Sequence, residues 1–206
     1  MEIEIMNIFD KQRNNIGKMS RADVHKHGLW HETFHCWFVN KEEDEDYIYF
    51  QIRSGRKKDF PNLLDLTAAG HLLATESVED GTREIKEEIG IDVTFNDLLP
   101  VGLIHNCIVT EDFIDREFSH VFLHRTHEEN LEFKLQKSEV SGMVKAKFHD
   151  FYDLCLGERE QIRIDGFEMN EFDDKVLILK NIGMLDFVPH QLSYLESVVR
   201  VIGEKL

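Results

Sequence analysis

The chain of 206 residues has only 3 prolines, 3 cysteines and no Ser- or Gly-rich tract. It also has no apolar run near the ~20 residues that span a bilayer. Each shortage closes a class. Cys36, Cys107 and Cys155 share no CxxC spacing, which excludes a disulfide framework and a cysteine-rich zinc module. No interdomain linker and no internal repeat stands out. Met1-Glu2-Ile3-Glu4 lacks a basic stretch followed by an apolar one, so no signal peptide is expected and the chain reads as cytoplasmic. Positive charge is scarce too: 24 Lys+Arg against 40 Asp+Glu leave a formal charge of −16. Such a surface does not attract phosphate backbones, so neither a nucleic-acid duplex nor a membrane is an expected partner. Small anions stay open as ligands where divalent cations bridge the like charges.

Apolar residues are plentiful at 42%, with 15 Phe, enough for one compact core in a single domain over residues 1–206. Residues 3–9 read as a strand, 10–17 as a turn, and Ser20 with Asp23 as a helix start. Strands are expected at 30–39 and 47–53, joined by the acidic run 41–46 as a solvated hairpin loop. Further strands are expected at 91–95, 101–110, 117–126 and 141–148. Helices are expected at about 78–89, 149–156 and 191–202. Short strands interrupted by a few helices imply an α+β fold with a mixed sheet. Residues 158–187 carry the weakest pattern, and Phe148 to Phe151 offer an apolar surface for a homodimer.

The most informative stretch is Gly70 to Ile91. At about 100° per residue, Glu87 and Glu88 fall near −60° and +40° of Glu84, so three carboxylates share one arc. Val78, Ile85 and Ile89 make an apolar stripe beside it, Ser77 suits the N-cap and Gly90 the left-handed C-cap. Carboxylates at such spacing repel unless a cation lies between them. Mg²⁺ or Mn²⁺ prefers oxygen ligands of this kind and leaves positions open for substrate phosphates. A solvated acidic face is the alternative.

This stretch resembles the Nudix signature GX5EX7REUXEEXGU, with U aliphatic. Gly70 and Glu76 keep the first spacing, and Arg83-Glu84-Ile85-Lys86-Glu87-Glu88-Ile89-Gly90-Ile91 matches the second half throughout. Six residues separate Glu76 from Arg83 where the signature has seven, which leaves the supporting role of Glu76 open. The resemblance implies an α/β/α sandwich, with the signature at 70–91, an N-terminal addition at about 1–28 and a C-terminal helical tail at about 188–206. It implies Glu84, Glu87, Glu88 and the Gly70 carbonyl as metal ligands, Arg83 as the residue that orients them, and cleavage of a diphosphate linked to another moiety.

A second resemblance, over roughly residues 6–151, is to the isopentenyl-diphosphate isomerase-like branch of that superfamily. It rests on residues 20–25, 30–37, 65–71, 117–122 and 135–140. It implies a metal site at His25, His31, His71, Asp115 and Glu117. Those isomerases carry a cysteine immediately before the Gly-His pair; here Ala69 stands there, and its methyl cannot exchange a proton. Hydrolysis is therefore favoured over isomerisation, with a non-catalytic diphosphate sensor as a further alternative. Glu117 and Glu139 are candidates for the general base, and Arg53, Lys57 and Lys58 for substrate phosphates. Trp30 and Trp37 read as core, His27 and His127 as surface. The organic moiety, whether prenyl, nucleoside or thiamine-like, is not readable.

Overall fold

The computed structural model describes residues 4–111, 114–126 and 131–206. Its axis is the long strand β3 (Trp30–Glu42), whose apolar residues from Phe34 to Val39 are buried on both faces. The strands before it are β1 (Ile5–Phe9) and β2 (Asn15–Ser20), followed by helix α1 (Arg21–His27). Ser20 caps α1 by accepting from the Asp23 amide, as its spacing predicts. After β3 come β4 (Glu45–Arg53), the short β5 (Leu64–Asp65) and β6 (Ala68–His71), and helix α2 (Arg83–Ile89). The chain continues through β7 (Leu98–Val109), β8 (Ile114–Thr126), β9 (Val140–Lys147), helix α3 (Phe148–Cys155), β10 (Ile162–Met169), β11 (Lys175–Ile182) and helix α4 (Leu192–Gly203).

All these strands belong to one mixed sheet in the order β11-β10-β9-β4-β3-β1-β2, with β5, β6, β7 and β8 paired off that path. β8 runs parallel to β3 along its length, and β6 pairs antiparallel with residues 33–36 of β3. One face buries Trp37, Phe50 and Phe151 against Tyr194, Val198 and Ile202 of α4. The opposite face buries Phe34, Phe38 and Met143 against Ile85 and Ile89 of α2. The result is the expected α/β/α layering around a mixed sheet. Phe151 is fully buried among the rings of Trp37, Phe50 and Phe187. Phe151→Ala is expected to destabilise the fold by about 3–5 kcal/mol, measured by urea unfolding.

Several expectations are corrected. Residues 15–20 form a strand, so the turn expected over 10–17 is confined to 10–14, and Gly17 within the strand is at φ 143. The acidic run is mostly ladder: β3 reaches Glu42 and β4 begins at Glu45, leaving a tight turn with Glu43 at φ 53. Residues 91–95 partly bury Ile91, Val93 and Phe95 against the α2-side core but join no strand ladder. The single helix expected at 78–89 is a 3-10 turn (Glu79–Thr82) followed by α2, whose N-cap is Thr82; Ser77 instead binds the Asp80 carboxylate. Gly90 does adopt the left-handed C-cap, at φ 75. Residues 158–187 hold the β10–β11 hairpin. Phe148 and Phe151 are buried, so they offer no dimer surface. Trp37 is buried as expected, Trp30 packs on Phe118, and His27 is exposed; His127 lies outside the described residues. The three cysteines are free, and no helix among the described residues is long and apolar enough to cross a membrane.

Candidate metal and active site

A cleft of about 500 Å³ opens where β3, β6 and β8 meet the N-terminal end of α2. On α2, Arg83 is the hub. Its Nε donates to Glu76 Oε1 at 2.6 Å, its Nη2 to Glu76 Oε2 and the His71 carbonyl, both at 3.1 Å, and its Nη1 reaches Glu84 at 2.7 Å and Glu87 at 3.2 Å. Glu76 also accepts from the Leu73 amide at 2.8 Å. The role left open for Glu76 is therefore filled despite the shorter spacing.

Glu84 and Glu88 turn inward while Glu87 is half exposed. Glu88 Oε2 accepts from Gln51 Nε2 and the Ala69 amide, each at 3.1 Å. Burial, then the neighbouring Glu88 charge, pushes the Glu84 carboxyl up to about 8 against the pull of Arg83. Burial likewise pushes Glu88 up to about 7. Gly70 faces Glu84 so closely that any Cβ there would overlap the Glu84 carboxyl carbon and Oε1. Two buried carboxylates with raised pKa, packed where no side chain could stand, fit a site that needs a cation to ionise both.

The sheet builds a second group. His31 of β3 is the register partner of Glu117 on β8, and His71 of β6 is that of Thr33. His25 projects from α1, with its ring centroid 5.2 Å from that of His31 and 5.1 Å from that of His71. Asp115 Oδ1 stands 3.3 Å from His31 Nε2 and 3.6 Å from His25 Nε2. The ligand atoms of His25, His31 and His71 lie within 4.8 Å of one another, as do those of His31, Asp115 and Glu117. All five residues implied by the second resemblance are thus brought together. His31 Nδ1 lies 3.1 Å from the Leu29 carbonyl and donates to it, which leaves the Nε2 lone pair facing the cleft. Burial lowers the pKa of His31 and His71 and takes His25 to about 3, so all three stay neutral. His31 Nε2, His71 Nε2 and Asp115 Oδ1 have no hydrogen-bond partner among the described residues. Burial raises both Asp115 and Glu117. Neutral imidazoles and reluctant carboxyls are the donor set of a first-row divalent ion.

Among the remaining expected residues, Lys57 lines the cleft and pairs with Glu139. Arg53 lines it too, but its guanidinium is committed to Asp65 at 2.8 Å and to the Asp59 and Phe60 carbonyls. Lys58 is exposed and outside the lining. Arg53 is therefore not free for phosphate, and Lys58 stands outside the cleft. Sequence reasoning missed Asp65, Asn106, His190 and Tyr194, which join Glu117 and His35 at the inner end. His35 Nδ1 lies 2.6 Å from the Tyr194 hydroxyl, and His35 Nε2 3.5 Å from Glu117. No local pattern could have found partners 84 to 159 residues apart.

The raised carboxyls fix a pH dependence. An unfolded Glu ionises near 4.5, whereas Glu84 and Glu88 resist until about 8 and about 7. Below 4.5 both states are protonated and nothing is lost; above it the unfolded state is favoured increasingly until the folded carboxyls ionise. Cation-free protein is therefore expected to lose melting temperature as pH rises from about 5 to 8, and added Mg²⁺ to restore it. Calorimetry with and without chelator checks this.

The NUDIX domain family model matches residues 29–168. A protein of Clostridium acetobutylicum named as an uncharacterized Nudix hydrolase is 37% identical over 202 residues, which are 98% of each chain. Isopentenyl-diphosphate Delta-isomerase 2 of Photorhabdus laumondii is 28% identical over 127 residues, 61% of this chain and 69% of that one. A crystal structure from Deinococcus radiodurans superposes with a TM-score of 0.56 at 17% identity, covering 75% of this chain and 90% of that one. A MutT/nudix family protein of Enterococcus faecalis gives 0.50 at 16% identity, covering 83% and 61%. The two structures share the fold.

Proposed function

This chain belongs to the Nudix hydrolase family, and from that premise we propose that it cleaves the diphosphate linkage of a small organic diphosphate with Mg²⁺ or Mn²⁺ as cofactor. The observation that carries the reading is the pair of buried, pKa-raised carboxyls Glu84 and Glu88 held over the side-chain-free Gly70. Cations bound there neutralise diphosphate oxygens and make the phosphorus easier to attack.

The residues supply the rest. Glu84, Glu87, Glu88 and the Gly70 carbonyl would hold the cations, and Arg83 fixes the carboxylates through its links to Glu76. Lys57 and Glu139 form an ion pair in the cleft lining, so Lys57 can exchange its partner for a substrate phosphate while Glu139 takes the proton of the attacking water. That oxygen bonds to phosphorus as the bridging P–O bond breaks, giving an organic monophosphate together with phosphate or, where both ends are esterified, a second monophosphate. Glu117 is the alternative base. His25, His31, His71, Asp115 and Glu117 would hold a second cation beside the first, since His71 follows Gly70 on β6.

The test is a screen of prenyl, nucleoside and thiamine-type diphosphates with Mg²⁺ and Mn²⁺, reading released phosphate. Turnover by the wild type that disappears in the Glu87→Gln/Glu88→Gln double variant supports the reading; turnover unchanged in that variant sinks it. The histidine set favours one second reading, an isomerase-like protein, which alkene migration seen by NMR would support. Ala69 opposes it, since no proton-exchanging side chain stands beside Gly70.

A further inference from the structure

Residues 188–194 lie beyond the matched domain, yet Val188 and His190 line the cleft and Tyr194 stands behind His35. His190 sits at the centre of a directional hydrogen-bond chain. Asp65 accepts from Arg53 Nη1 at 2.8 Å and from the Leu66 amide at 2.9 Å, and its Oδ1 lies 2.9 Å from His190 Nε2. Burial alone would raise the Asp65 carboxyl, but His190 and Arg53 hold it well below the usual range, so it stays an ionised acceptor. His190 Nε2 must then carry the proton and donate, and because its Nδ1 faces the Asn106 amide nitrogen, which can only donate, Nδ1 is the acceptor. Asn106 Nδ2 lies 3.0 Å from that Nδ1 and 2.9 Å from Glu117 Oε2. Its two hydrogens serve these two acceptors; the flipped amide would turn its oxygen on both. Asn106 is fully buried and His190 is 8% exposed at its side chain, so water does not replace these links readily.

We infer that His190 is a positioning residue for the reaction, holding the Asn106 amide so that Glu117 is gripped at Oε2 and presents Oε1 to the cleft. Asn106 and Glu117 are direct register partners on β7 and β8, so the strand ladder sets their separation. The ladder does not set the rotation of the Asn106 amide. His190 does, from a segment that reaches the cleft because the Val188 amide bonds the Leu64 carbonyl at 2.8 Å, next to Asp65. The C-terminal segment is thus part of the reacting wall.

The inference rests on Glu117 acting as ligand or base, as proposed above. Two variants of the full chain test it. His190→Phe keeps ring volume and removes both hydrogen bonds; His190→Asn keeps an acceptor near the Nδ1 position. With a diphosphate found in the screen, His190→Phe is expected to lower kcat by about 10- to 100-fold at near-constant KM, and His190→Asn to regain most of it. Wild-type kcat in His190→Phe, or equal losses in both variants, would overturn the inference. If the wild type hydrolyses nothing, the hydrolase reading fails alone. Mn²⁺ titration in a Glu84→Gln/Glu88→Gln background then decides, with affinity expected to fall by about 10- to 100-fold in His190→Phe and far less in His190→Asn; no difference between the two overturns it. Nitrogen-15 NMR of the wild type is independent of both. It is expected to show His190 protonated on Nε2 alone, and the Nδ1–H form would overturn the inference.

Discussion

Glu88→Gln is expected to abolish most turnover while making the cation-free protein more stable at about pH 8. The variant removes a cation-binding charge, so kcat should fall by on the order of 10³-fold. The amide keeps the shape and leaves an oxygen to accept from Gln51 and the Ala69 amide. It also removes a charge that burial disfavours, the reason Glu88 rises to about 7. A melting temperature raised by roughly 5 °C is the expected gain. Calorimetry in chelator beside a phosphate-release assay reads both. A variant that retains activity would remove Glu88 from the cation site, and a less stable one would show that its buried charge does not burden the fold.

Gly70→Ala carries the second large effect. The added methyl would overlap the Glu84 carboxyl carbon and Oε1, so that side chain must swing out and abandon its 2.7 Å contact with Arg83. Mn²⁺ affinity is expected to fall by more than about 100-fold, beyond what the loss of an outer partner causes. Thermal stability should fall only modestly, by about 1–3 kcal/mol for the overpacking. Titration calorimetry separates the two, and unchanged Mn²⁺ affinity would remove Glu84 from the ligand set.

What the sequence revealed follows the range of the interactions. Glu84, Glu88 and the apolar pair Ile85 and Ile89 were legible because one helical period places them. The histidine group was legible only through the family likeness, since His25, His31 and His71 come from three elements. Asn106, His190 and Tyr194 were not legible, because their partners are set by the sheet order and by α4 docking. Residues 91–95 mislead for a related reason. Ile91, Val93 and Phe95 alternate because they pack on a core, and alternate burial does not require a ladder partner. β11 misleads the other way: as the last strand of the sheet it exposes Val176, Leu177 and Leu179 on both faces and shows no period of two.

The 3-10 turn ahead of α2 explains how one residue fewer still joins Glu76 to Arg83. A 3-10 segment climbs about 2.0 Å per residue and an α-helix about 1.5 Å, so four residues of the former reach about as far as five of the latter. The segment works as a vernier, trading winding tightness against contour. A motif search that demands fixed gaps would pass over this chain, although the anchor and its guanidinium meet at bonding distance.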